Sequence, residues 1–209
     1  MLTLVIETAT AACSVALLHG PEIVASAHEV VGRGHAERLV PMIAALPDQG
    51  RAPRILVDVG PGSFTGIRVG LAAALGLAIG WEAEVHGYSS LALLAAAGFA
   101  ASPQCPALAA ILEGGHGEVF MQSFTASPLM PEGPLQSLVP AAALAALGQR
   151  SAIGSMRHLA ALDSDRTLIE ALPRAEDARL LPRDLATLPA RPVYGRAPDA
   201  RTLAERGLA

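Results

Sequence analysis

Lysine is missing from this sequence: all 15 basic residues are arginine. Mechanisms that need a lysine, such as a P-loop lysine on a nucleotide phosphate or a Schiff base, are therefore excluded. Cysteine is nearly absent. Cys13 and Cys105 stand far apart, with no CxxC and no Cys/His ligand spacing, so they read as packed thiols in a reducing compartment and not as a disulfide scaffold or zinc finger. Nor is there a basic excess. A formal net charge of -4 and a pI near 5.8 argue against avid direct binding to a phosphate backbone, so RNA would be held through something else. The N-terminus has no basic stretch before an apolar run, and its first apolar run is broken at Glu7. No signal peptide is predicted, and a cytoplasmic location is expected. The most hydrophobic helix candidate, Val69 to Gly80, is little more than half the ~20 residues that cross a bilayer. It is expected to be a core or interface helix, with no membrane contact.

What the sequence does contain is apolar surface: 52% of its 209 residues are hydrophobic, enough for one large domain or two small ones. Leu2 to Glu7, Ala12 to Leu18 and Glu22 to Val30 read as a three-stranded antiparallel meander, with a turn at His19-Gly20-Pro21. A helix follows over Gly34 to Leu46, with apolar positions at Leu39, Met42, Ile43 and Leu46; Pro41 inside it is expected to kink it or mark a boundary. Arg54 to Val59 is a strand, Gly60 to Gly66 a glycine-rich turn, and a helix runs on to about Ile79. A strand at Glu84 to Gly87 then enters a helix starting near Ser89 or Ser90. The order βββαβαβα resembles half of an actin-like ATPase. The Pro-bearing stretch Ala101 to Pro106 separates it from strand-like runs at Ala107 to Leu112 and Gly117 to Phe124 and a helix at Pro140 to Leu147. Two subdomains are expected, residues 1–104 and 105–209, with a last helix packing back on the first.

The sharpest local feature is Gly60-Pro61-Gly62-Ser63-Phe64-Thr65-Gly66-Ile67-Arg68. A strand-to-helix turn of this kind can present backbone N–H groups to an anion. It is not a Walker loop, because Gly62 and Gly66 are too close and no lysine follows. It is not a Rossmann fingerprint, because Thr65 stands where the third glycine belongs, nor a nucleophile elbow, because Pro61 and Thr65 flank Ser63. The plainer reading is a tight turn whose helix is capped by Ser63 or Thr65. His35 and Glu37 open the earlier helix, but the i+4 position that would complete a metal pair is Leu39. His116, near Glu113 and Glu118, is expected to be solvated. In the helix after the turn, Gly66, Gly70, Ala74 and Ala78 recur every four residues, a spacing that would let another helix approach closely. On that reading Gly70→Leu or Ala74→Arg would break an oligomer without unfolding the monomer.

Taken in order, the blocks Ile6-Glu7-Thr8-Ala9-Thr10 with Cys13 to Leu17, His35 to Ile43, Gly60 to Gly70, Gly87 to Leu91 and Gly117 to Phe120 closely resemble the TsaB (YeaZ) family; Pro192 to Arg196 is a weaker echo. The resemblance implies an α/β ASKHA fold of two subdomains and a non-catalytic scaffold or activator role in threonylcarbamoylation of tRNA adenosine. The partners it implies are a TsaD-type catalytic subunit and a TsaE-type ATPase, with a homodimer when the chain is alone and tRNA met only through the complex. The pairing surface is then expected at His35, Leu39, Met42, Ile43, Ile67, Gly70, Leu71, Ala74 and Ala78. A vestigial nucleotide site would comprise Glu7, Thr8, Gly60, Gly62, Ser63 and Glu113, with ATP or ADP and Mg²⁺ only at a partner interface and no metal of its own. The family usually shows Asp where this chain has Glu7 and Glu113, and Gly114-Gly115-His116 replaces its Ala-Arg-Arg. An extra methylene on each carboxylate disfavours a demanding octahedral Mg²⁺ site. The alternative is a weak ATPase or sugar-kinase-like phosphotransferase using Glu7 and Glu113. A glycoprotease-like peptidase would need a metal or nucleophile pair that the sequence does not offer.

Overall fold

Strand β1 (Leu2–Glu7) pairs antiparallel with β2 (Ala12–His19) and parallel with β4 (Arg54–Asp58). With β3 (Glu22–Val30) outside β2 and β5 (Glu84–Tyr88) outside β4, the first sheet runs β3-β2-β1-β4-β5. The meander and the strand positions agree with the sequence reading to within a residue or two. The computed structural model describes residues 1–155, 157–160 and 168–195.

Both faces of this sheet are buried, and its strands show it by alternation. Leu4, Ile6, Val15 and Leu17 face one core, shared with Leu39, Met42, Ile43, Ile67, Leu71 and Ala74 of two helices, α1 (His35–Ala44) and α2 (Phe64–Trp81). Val5, Ala16, Leu18 and Leu56 face a second core on the other side. Helix α1 runs through Pro41 to Ala44, so of the two expected effects of that proline, a kink or a boundary, it does not mark the boundary. The carbonyl that Pro41 leaves without a donor belongs to exposed Glu37, where water can take over.

Helix α3 (Ser90–Ala101) lies between two sheets. Leu93 packs with Val5, Leu56 and Tyr88 of the first, and Leu91, Leu94 and Ala95 pack with Leu108, Leu112, Phe124 and Ile153 of the second. The second sheet comprises β6 (Ala107–Glu113), β7 (Val119–Ala126), β8 (Leu129–Pro131), β10 (Ser151–Gly154) and β11 (Leu168–Glu170) in the order β11-β10-β6-β7-β8, and β9 (Gln136–Leu138) also pairs with β7. Here too an antiparallel meander adjoins parallel strands, with β6 in the place of β1. Its outer face is covered by α4 (Pro140–Leu147) and α5 (Arg157–Ala160).

After β11 the chain returns to the first sheet. The 3-10 turns Ala175–Leu180 and Arg183–Ala186 lie on its inner face beside Val5, Ala16 and Leu56. Gly87 and Leu188 then exchange backbone hydrogen bonds of 2.7 and 3.0 Å, and the Val193 amide donates to the Val59 carbonyl at 2.7 Å. A return was expected of a last helix. The residues that would form it lie outside the described ones, and the crossing is made earlier, by short turns.

Candidate functional site

The glycine-rich turn is shaped by its neighbour, the β1–β2 loop. A Cβ at Gly62 would lie 2.2 Å from the Ala9 carbonyl oxygen, and one at Gly66 would lie 2.0 Å from that of Thr8. Only glycine allows two backbones this close. Ser63 caps α2 as expected, its hydroxyl accepting from the Gly66 amide at 3.2 Å, and the Gly60-Pro61 bond is cis.

Beneath the turn sits a buried polar cluster. Glu7 is fully buried; its carboxyl accepts from the Ala9 amide at 2.9 Å and from the Ser90 hydroxyl at 2.9 Å. Tyr88 Oη lies 2.9 Å from the Ile6 carbonyl and 3.2 Å from Glu7 Oε2. One phenolic proton cannot serve both, so donation to Ile6 leaves the second contact to a proton carried by Glu7. Asp58, also fully buried, accepts from the Thr8 amide at 2.8 Å; the Thr8 hydroxyl lies 3.1 Å from the same oxygen and 2.9 Å from the Gly66 carbonyl. Burial, with the charge of Asp58 added, holds Glu7 well above the usual carboxylate range. Burial pushes Asp58 up to about 6 against the pull of its Thr8 hydrogen bonds. As pH rises Asp58 therefore ionises first, and Glu7 is the carboxyl of the pair that keeps its proton longer.

Glu7 is therefore no wall of a phosphate site. A cleft of about 1730 Å³ lies above it, lined by Thr10, Gly62, Ser63, Arg68, Glu113 and His116, with Arg33, Arg157, Arg174 and Tyr194 also lining it. Of the residues expected at a nucleotide, Gly62, Ser63 and Glu113 reach this cleft; Glu7, Thr8 and Gly60 do not, because Glu7 turns toward Tyr88 and Ser90 and Thr8 toward Asp58. His116 is exposed, at a φ of 64°. Arg68 lies 3.5 Å over the Phe64 ring and donates to Tyr194 Oη at 3.2 Å, which ties the returning chain to α2. His28 also lines the cleft; burial and then Arg174 lower its pKa. Among the described residues no group of His, Cys, Asp and Glu is placed to hold a metal ion.

The expected pairing surface is corrected by the structure. Leu39, Met42, Ile43, Ile67, Leu71 and Ala74 belong to the core under the first sheet, His35 is buried with its ring nitrogen 3.2 Å from the Ala12 carbonyl, and Ala78 is partly buried. Gly70 faces inward as well: a Cβ there would stand 2.4 Å from Thr8 Oγ1. The small-residue stripe thus serves approach to β1, and Gly70→Leu would disturb the fold before any assembly. What α2 turns outward is Ala72, Leu75, Gly76, Ile79 and Gly80, with Val40, Pro41 and Ala44 exposed on α1. Ile79 is 84% exposed. The helix also has 18 residues, more than expected, and matches a short membrane span by length and composition; its inner face is committed to β1 and β4.

Two mixed sheets, each a meander continued by parallel strands, with helices outside and between them, define an α/β ASKHA-like protein. Two solved structures share the architecture over nearly their whole length. One, described as an uncharacterized protein with similarity to peptidase YeaZ from Pseudomonas aeruginosa, has a TM-score of 0.78 at 28% identity and covers 93% of this chain and 99% of its own. The other, YeaZ from Pseudomonas aeruginosa, has a TM-score of 0.75 at 27% identity and covers 92% and 99%. The profile of the TsaD family, described as tRNA N6-adenosine threonylcarbamoyltransferase, matches residues 22–127. The tRNA threonylcarbamoyladenosine biosynthesis protein TsaB of Escherichia coli is 38% identical over 133 residues, which are 59% of this chain and 55% of that protein. The chain belongs to the TsaB/YeaZ family. It spans about half the length of the curated relatives it matches.

Proposed function

We propose that this chain acts in the biosynthesis of threonylcarbamoyladenosine on tRNA, as its relatives' names state for them, and that its part is to pair with a TsaD-type catalytic subunit. The observation that carries the pairing role is the outward face of α2 and α1. Leu75 is 46% exposed, Ile79 84% and Val40 55%, and a Cβ added at Gly76 or Gly80 would meet nothing within 4 Å. Exposed apolar side chains beside open glycines suit close approach of an apolar partner surface. A second copy of the chain would occupy the same face in the absence of the partner.

The ATPase alternative needs a carboxylate at the phosphates. Glu113 lines the cleft and Glu7 is buried below it in a hydrogen-bonded cluster, which favours the pairing role. Co-purification and light scattering test the proposal: the wild-type chain is expected to form a stoichiometric complex with a TsaD-type protein, and Ile79→Arg to abolish it while keeping its melting curve. A complex unaffected by Ile79→Arg and Leu75→Arg would move the pairing surface elsewhere. ATP turnover by the purified chain, lost in Glu113→Ala, would overturn the ranking of the two readings.

A further inference from the structure

A second, smaller pocket of about 300 Å³ opens where β1 and β4 begin, at Thr3 and its register partner Arg54. The returning turns close over it and contribute Arg179 and Arg183. Three arginines, one from β4 and two from the returning turns, thus line one small space, and no acidic side chain lines it. Arginine keeps its charge at any ordinary pH, so the pocket is lined by three fixed positive groups that favour an anion. In a chain of net charge -4 this local excess is against the general trend. Among the described residues no ion pair engages any of the three; Asp177, the acidic group near Arg179, does not line the pocket.

Two further features point to a ligand. Arg54 is held in place by donating to the Ala186 carbonyl at 2.6 Å, which leaves its other N–H groups for a second acceptor. Thr3 is only 7% exposed and lines the pocket, a polar side chain set between apolar strand residues. A phosphate presents its oxygens tetrahedrally to donors arriving from several sides, whereas a carboxylate offers two oxygens in one plane, so donors from β1, β4 and the returning turns suit a phosphate better. We infer that Thr3, Arg54, Arg179 and Arg183 form a phosphate-binding site, which takes the group either from an RNA strand or as the free ion. The RNA source rests on the proposed function; the site itself does not.

The test uses the full chain and the Arg179→Gln/Arg183→Gln double variant, both positions being exposed. Thermal unfolding is followed in inorganic phosphate against chloride at matched ionic strength and pH, and a labelled tRNA transcript is titrated by fluorescence anisotropy at low salt. Equal melting of the two proteins in chloride shows that the variant folds. Phosphate is expected to raise the melting temperature of the wild type and not of the variant. If the group comes from RNA, the variant also binds the transcript about tenfold more weakly, with a shallower dependence on salt. A phosphate effect with unchanged RNA binding assigns the free ion; weaker RNA binding without a phosphate effect assigns the strand. Equal behaviour of the two proteins in both arms overturns the site. Neither arm reads pairing with a catalytic subunit, so failure here and failure of the proposed function are distinguishable.

Discussion

Helices α2 and α3 are built from nearly the same material, leucine, alanine and glycine with almost no charge, yet they hold opposite places in the molecule. Helix α3 lies between two sheets, and Leu91 to Ala96 are all buried. Helix α2 lies on one sheet alone, so among the described residues nothing covers its outer apolar face. An apolar helix is thus not in itself an interface; the number of layers packed on it decides. The two also stand on different buried acids. Glu7 holds Ser90 at the start of α3, and Asp58 holds Thr8, which lies 2.9 Å from the Gly66 carbonyl in the first turn of α2.

The largest expected effect comes from treating the inner side of α2 as if it were a surface. Gly70→Leu forces a side chain into Thr8 and should cost about 3 kcal/mol or more, read as a lower denaturation midpoint; an intact fold would mean that this face can open. Leu94→Ala in α3, where the residue is 1% exposed, should cost about 3 kcal/mol through the cavity it leaves between the sheets. A loss below about 1 kcal/mol would show the two layers to be loosely packed. Glu7→Gln addresses the acid under α3 and should be milder. A carboxyl with a raised folded pKa binds an extra proton in the native state, so its contribution is complete below its unfolded value of about 4.3 and is lost as pH rises toward the folded value. The amide has no such loss. The variant should gain stability relative to wild type between pH 5 and pH 8, reaching about 1 kcal/mol by denaturant titration; a variant that is less stable with the same pH slope would show Glu7 to be ionised. Ile79→Arg on the outer face of α2 should change stability by no more than about 0.5 kcal/mol.

Much of this contrast was legible in the sequence, and part was not. Strand alternation at Leu4, Ile6, Val15 and Leu17, the glycine turn and the Ser63 cap have local causes, and their positions follow from short-range pattern. Which side of α2 faces out has no local cause. Every side of it is apolar, so only the close approach of Thr8 to Gly66 and Gly70 identifies the inner one. The same holds for the buried acids. Glu7 was visible as a carboxylate at a strand end, but its turn toward Tyr88 and Ser90 depends on residues more than 80 positions away. Asp58 closing the apolar run Ile55-Leu56-Val57 before Gly60-Pro61 is the one sequence signal that could have exposed the cluster. The return over residues 175–193 has neither periodicity nor regular elements of useful length, and the arginines it delivers to Arg54 are separated from it by more than 120 positions.

That return sets an order on synthesis. The first sheet is translated early, but its inner face needs Ala175, Ala178 and Ala186 to complete its core, and the free edge of β5 needs Leu188. On the ribosome the first sheet must wait with Val5, Ala16 and Leu56 incompletely covered until residues 175–188 have emerged. A chain cut short after β11 would keep every strand and both sheets, and would still be left with an open seam.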